Sequence, residues 1–211
     1  MMDWERFYRE ADYDRCAYVG GEAMVDLAAR FFERVGVPDD FVSVGCGPAV
    51  CPFGLAERFS DTEFVGLDVA ETVVADNRER AADHGLDNLS FAVDALPDLA
   101  VDREFDVVYS VATLYFVEDA ERAVAALWDR VREGGHLVLN YPNRYSRAHF
   151  DREFDGRRRE AFELVLDGRN LLTYDDVRSV TGRQPRSYWK LVDAEDREFA
   201  DRARPCVVVE K

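Results

Sequence analysis

Lysine is nearly absent from this chain. Of 27 basic residues only Lys190 and Lys211 are lysines, against 43 acids, and the formal net charge is −16. That imbalance disfavours nucleic acid as a partner, because phosphate contacts need clustered cations. Two explanations fit it: an enzyme whose substrate is cationic, or a carboxylate-coated surface adapted to a high-salt cytosol. The acids are spread along the whole chain, which favours the second. No apolar run reaches the roughly eighteen residues of a membrane span. The start, Met1 to Arg6, lacks a signal-peptide pattern. The expectation is a soluble, cytoplasmic protein without a membrane partner.

Cysteine and histidine are also sparse. Cys16, Cys46, Cys51 and Cys206 have the spacing of neither a zinc ribbon nor a disulfide framework, so reduced, buried thiols and no metal are expected. Repeats and low-complexity linkers are lacking. A chain of 211 residues with 47% hydrophobic content can bury one good core, and a single domain over 1–211 follows.

What is present is alternation. Residues 21–35 carry apolar side chains at helical spacing, stopped by Gly36 and Pro38. Strands are expected at 41–44, 63–67, 89–93, 105–110 and 136–141, with helices at 52–59, 71–84 and 118–132 between them. Strands alternating with helices imply a parallel sheet covered on both faces, an α/β fold. Further helices are expected over 157–167 and 174–180, and two closing strands at 186–192 and 206–210 as an antiparallel hairpin. Residues 1–36 would form a helical cap and 142–170 a lid-like insertion.

The chemistry gathers where strands end. Val44-Gly45-Cys46-Gly47-Pro48-Ala49 closes the first strand with a glycine-bearing turn before a helix, which aims backbone N–H groups at an open crevice. Asp68 ends the second strand, Asp94 the third and Ser110 the fourth. An acid some twenty residues past such a turn can accept both hydroxyls of a ribose. A nicotinamide-binding turn would want a third glycine at position 50, and Val50 stands there.

This ordered set resembles the class I S-adenosylmethionine-dependent methyltransferases over residues 40–142, with the tail similar in topology only. The resemblance implies a three-layer Rossmann-like fold with a mostly parallel seven-stranded sheet and S-adenosylmethionine as cofactor. By it, Gly45, Cys46 and Gly47 let the backbone approach the methionine part. Asp68 takes the ribose with Val69 beside the adenine, and Asp94 accepts the adenine amino group with Ala95 next to it. Phe105 to Ser110 is similar to the family's fourth motif, which ends near the transferable methyl. Val131 to Leu137 resembles the turn into the fifth strand. Ser43 stands where the family often has an acid. Ala49 replaces a third glycine, and fits if its φ is negative.

Methyl transfer chiefly requires alignment of the nucleophile and exclusion of water, with a base for some acceptors. Catalytic candidates are Tyr115, Tyr141 and His149, and Thr113, Phe116, Asn140 and Tyr145 also fall where the methyl would face. His84 and His136 read as structural. Asn140-Tyr141-Pro142-Asn143 is superficially similar to a motif of amino-DNA methylases, but it follows the fifth strand rather than the fourth. A small-molecule methyl acceptor is therefore expected. Two alternatives stay open: a methyltransferase-fold binding protein without catalysis, and a protein methyltransferase. A homodimer also stays open, though no feature demands one.

Overall fold

The computed structural model describes residues 2–9 and 21–211; Tyr13, Tyr18 and Cys16 lie outside them. Helix α1 (Trp4–Arg9) comes first. Helix α2 (Ala23–Val35) then buries Met24, Leu27, Ala28, Phe31 and Phe32 along one stripe, the spacing of a helix that covers a sheet. Five strands follow: β1 (Asp40–Val44), β2 (Glu63–Asp68), β3 (Leu89–Val93), β4 (Phe105–Ser110) and β5 (Val131–Asn140). They pair in parallel in the order 3-2-1-4-5. Helices α3 (Val50–Arg58) and α4 (Glu71–Asp83) join α2 on one face, and α5 (Ala120–Asp129) covers the other. Strand order reverses at β1 and β4, and between their carboxyl ends the sheet leaves its crevice.

After β5 come α6 (Arg144–Glu153), α7 (Gly156–Ala161), α8 (Glu163–Asp167) and α9 (Tyr174–Thr181). The sequence reading missed α6, whose start is set by a box: the Asn143 side chain accepts from Ser146 N, and Ser146 Oγ accepts from Asn143 N. Its third residue is serine rather than the glutamate or glutamine that usually marks such a box. The single helix expected over 157–167 is two short ones that meet at Phe162.

The closing strands need a correction. β6 is only Arg186–Ser187, and residues 188–191 form α10 (Tyr188–Leu191) instead of extending the strand. The Ser187 side chain caps that helix by accepting from Lys190 N, and Tyr188 and Trp189 turn into the core. Packing overrides the β preference of two aromatics. β7 (Cys206–Glu210) still pairs antiparallel with both β5 and β6, completing the seven-stranded sheet. It is reached through residues 188–205 rather than a hairpin turn.

The amino ends of β1, β4 and β5 are fastened by charge. Asp40 is buried; its Oδ1 accepts from Asp106 N at 2.7 Å, and its Oδ2 meets Arg132 Nη2 at 2.8 Å and Arg103 Nη2 at 3.1 Å. Burial pushes the Asp40 carboxyl up, but the Asp106 N–H and both guanidiniums outweigh it and hold the group below its ordinary value. A carboxyl depressed on folding contributes stability above its unfolded value near ~4, lost as pH falls through the folded value. Asp40→Asn should therefore cost about 2–3 kcal/mol at neutral pH. In denaturant titrations, that difference from wild type should shrink below about pH 4. A difference constant down to pH 2 would remove the charge from the account.

Candidate functional site

β1 stops at Val44, and the chain turns back under β2: Gly45 N and Cys46 N both donate to Leu67 O, at 2.7 and 2.9 Å. Gly45 and Gly47 sit at φ of 71° and 52°, where a side chain is strained. A Cβ on Gly45 would fall on Thr113, and one on Gly47 would stand 3.0 Å from the Tyr8 hydroxyl. The turn thus keeps bare backbone towards the crevice.

Ala49 departs from expectation. Its φ is 56°, left-handed, where a negative value was the condition for alanine to replace glycine. It is fully buried at the start of α3, so its methyl packs in the core. Ala49→Gly should release about 1–2 kcal/mol of backbone strain. It should also lose about 0.8 kcal/mol of burial and about 0.4–1 kcal/mol through the freer unfolded chain. The thermal midpoint is expected within a few degrees of wild type; a large loss would mean that the methyl dominates.

Two carboxylates shape the walls. Asp68 is buried at the end of β2, with Oδ2 accepting from Gly47 N at 2.8 Å and Oδ1 from Ala70 N at 3.1 Å. Burial pushes its carboxyl up, and these N–H groups only partly offset that. Asn77, also buried, donates to Gly47 O at 2.7 Å, so β2 and α4 hold the N–H and the carbonyl of one residue. Asp94 receives the N–H groups of Ala95, Ala100 and Val101 at 2.9–3.1 Å, which folds the following loop around it.

These elements enclose a cavity of about 720 Å³. Seven of the expected cofactor residues line it: Gly45, Cys46, Gly47, Asp68, Val69, Asp94 and Ala95. Ser110 does not; fully buried, it donates from Oγ to Val44 O at 3.1 Å and ties β4 to β1. Thr113 and Phe116 reach the cavity from the turn after β4, near and within the 3-10 helix Leu114–Phe116. Tyr115, Tyr141 and His149 do not line it. Tyr115, in the middle of that 3-10 helix, is buried and accepts from Asn140 Nδ2 at 3.3 Å, and Tyr141 is buried likewise. Burial pushes both phenols up, Tyr141 to about 12, so neither is a base at neutral pH. His149 Nε2 faces Arg204 Nη2 at 3.3 Å. Asn140 acts through its neighbours: its Oδ1 accepts from Ala112 N at 2.7 Å and holds that residue at φ 65°, between Val111 and Thr113 on the cavity wall.

The far wall was hardest to foresee. Trp4, Glu5 and Tyr8 of α1 close over the crevice, with Met24 from the start of α2. Glu5 caps the first turn of α4, accepting from Glu71 N and from Thr72 Oγ1 (2.6 Å). Trp4 meets Phe116 edge to face with ring centres 4.8 Å apart. α1 is therefore strapped to both rims. Its aromatics were visible in sequence, but their partners were not. Deeper in, Cys51 and Tyr109 line the floor. Burial raises the Cys46 thiol and takes that of Cys51 to about 12, so both stay protonated. Cys46, Cys51 and Cys206 are free thiols. Residues 142–170 contribute no lining; Phe150, Phe154 and Phe162 pack against Tyr115 and Phe116 from outside. Among the described residues no group of three or more candidate ligands could hold a metal ion, and no helix is long and apolar enough to cross a membrane.

Residues 41–135 match a family model described as a methyltransferase domain. A trans-aconitate 2-methyltransferase of Deinococcus radiodurans is 33% identical over 123 residues, which cover 58% of this chain and 45% of that protein. The chain thus spans about half the length of that curated relative. An S-adenosylmethionine-dependent methyltransferase of Clostridium acetobutylicum superposes with a TM-score of 0.67 at 14% identity, covering 98% of each chain. The magnesium protoporphyrin IX methyltransferase of Synechocystis, solved with bound SAH, superposes at 0.64 with 17% identity, covering 98% of this chain and 91% of that one. At such identities the likeness speaks for the fold. The matched stretch begins in β1, carries the glycine turn and both wall carboxylates, and ends in β5: residues 41–135 form a methyltransferase domain, and the chain is similar in sequence and fold to S-adenosylmethionine-dependent methyltransferases.

Proposed function

We propose that this chain is a cytoplasmic enzyme that transfers the methyl group of S-adenosylmethionine to a small-molecule acceptor. The observation that carries the reading is one continuous cavity. It is lined by the glycine turn with Asp68 and Asp94 and also by the side chains of Trp4, Tyr8, Met24, Val111 and Phe116, which leaves room for an acceptor beside the cofactor. When bound, S-adenosylmethionine supplies a sulfonium methyl carbon for in-line displacement. The residues present fit it. The bare backbone of Gly45 to Gly47 would lie against the methionine part, and Asp68 has acceptor capacity to spare for the ribose. Val69, half exposed to the cavity beside Ala95, would flank the adenine, and Asp94 its amino group. No histidine or lysine lines the cavity among the described residues, so alignment and water exclusion carry the rate rather than a strong side-chain base. Residues 142–170 serve as the outer support of the wall at Phe116.

The test is calorimetric titration with S-adenosylmethionine and with its product S-adenosylhomocysteine. It is run in molar salt because the charge of −16 fits a high-salt cytosol. Saturable one-to-one binding of both is expected, with transfer of labelled methyl into the small-molecule fraction of an extract. Binding of neither would overturn the reading. Binding without transfer would favour a non-catalytic role, and label in macromolecules a protein acceptor.

A further inference from the structure

Helix α4 begins without a side-chain cap of its own. Ala70, the residue before it, offers no acceptor, and the N–H groups of the first turn are met instead by Glu5 of α1. Glu5 Oε1 accepts from Glu71 N, with Thr72 N at 3.4 Å, and Oε2 accepts from Thr72 Oγ1 at 2.6 Å. A carboxylate is the group that a helix start favours, both for its orphan N–H groups and for its dipole. This one comes from 66 residues away, so the cap exists only while α1 is in place.

The rest of α1 is lightly held. Of its six residues Tyr8 alone is buried, packed on Ala70 and Val73. A helix of that length is not stable in isolation. Its order therefore depends on docking, and few buried contacts put it among the segments that open first. Its docking points straddle the site. Sheet order sets β1 between β2 and β4. α1 meets the helix start after β2 through Glu5, and the 3-10 helix after β4 through the Trp4–Phe116 edge contact. Between them it meets the turn after β1, where a Cβ on Gly47 would stand 3.0 Å from the Tyr8 hydroxyl. It bridges the crevice where the glycine turn lies.

Resting on the cofactor reading, we infer that α1 is a gate on the cofactor site, latched by Glu5 on the first turn of α4. S-adenosylmethionine enters and S-adenosylhomocysteine leaves when that latch releases. Closing such a segment keeps water from the reacting centre and makes product release a conformational step. Both Glu5 oxygens are engaged with α4, so the latch favours the closed position equally in the empty and the loaded protein. A gate of this kind slows entry and exit by the same factor and leaves equilibrium affinity alone. A ligand contact would change exit and affinity together.

The experiment uses the full chain with S-adenosylhomocysteine as the probe. Titration of wild type comes first, and absence of binding there would overturn the cofactor reading and the gate with it. Association and dissociation rates are then read by surface plasmon resonance for wild type, Glu5→Ala, Thr72→Val and Thr72→Ser. Glu5→Ala should raise both rates about ten-fold and Thr72→Val about three-fold, with Kd within about two-fold of wild type. Thr72→Ser keeps the hydroxyl and should match wild type. Thr72→Val removes one bond at little change of shape, and so carries the test if Glu5→Ala folds poorly. Unchanged rates with only a lower thermal midpoint would reduce Glu5 to a structural cap and overturn the gate. Faster dissociation matched by an equal loss of affinity would make α1 a ligand contact instead, and would overturn the gate while the cofactor reading stands.

Discussion

Asp68→Ala should weaken binding of S-adenosylhomocysteine by at least about 100-fold while the protein stays folded. A carboxylate has about four lone-pair sites. Gly47 N–H and Ala70 N–H take one on each oxygen, which leaves one on each for a pair of ribose hydroxyls. Two hydrogen bonds to a charged acceptor contribute about 1.5–3 kcal/mol each, which sets the size of the loss. The variant also leaves the Gly47 N–H without its partner, so the turn loosens where the cofactor backbone contact is proposed. Asp68→Asn separates the two effects. It keeps the shape and one acceptor, but its NH₂ must face a backbone donor, so an intermediate loss is expected. Calorimetry on the three proteins decides it: an alanine variant within three-fold of wild type would remove Asp68 from the cofactor's contacts.

Gly45→Ala should be the most damaging single methyl that can be added to this chain's glycine turn, at about 3–5 kcal/mol. Left-handed backbone at φ 71° costs an alanine about 1–2 kcal/mol. The rest is collision: the new Cβ would stand 2.8 Å from Thr113 Cβ and closer still to Cγ2 and Oγ1. Thr113 cannot rotate away freely, because its hydroxyl donates to Val44 O at 3.1 Å. A fall of roughly 10–15 °C in thermal midpoint follows for a chain of this length. Adding Thr113→Ala should restore only part of it, since the Thr113 Cβ and the strained φ remain. Full recovery in the double variant would show that backbone strain contributes little.

How much of this was legible beforehand depended on the kind of signal. The five parallel strands were readable because each holds a short apolar run closed by a glycine, an acid, a serine or, in β5, an asparagine, and Gly45, Gly47, Asp68 and Asp94 were readable because topology sends strand ends to one crevice. Ser110 has the same sequence signature as its neighbours yet faces Val44 O, a matter of which way one side chain leaves the strand. Tyr188 and Trp189 prefer strands locally and were claimed by core packing and the Ser187 cap. Tyr115 and Tyr141 were candidates because they follow strand ends and His149 because it falls in the lid-like segment, and burial or a neighbouring arginine takes them elsewhere. Ala49 needed φ, which no residue type reports.

The carboxylate that fastens β1, β4 and β5 sits at the opposite end of the same strands from the glycine turn. Four residues of rise separate Asp40 from Val44, roughly 13 Å, beyond the range at which substitutions ordinarily couple. The sheet therefore divides its labour along its length: one end bears persistence against acid and unfolding, the other bears recognition. Changes at the two ends should combine as independent increments. An Asp40→Asn, Asp68→Ala protein should show the stability of the first and the affinity of the second, within about 0.5 kcal/mol of simple addition. A lineage carrying this fold could retune what its cavity accepts without renegotiating what keeps it folded.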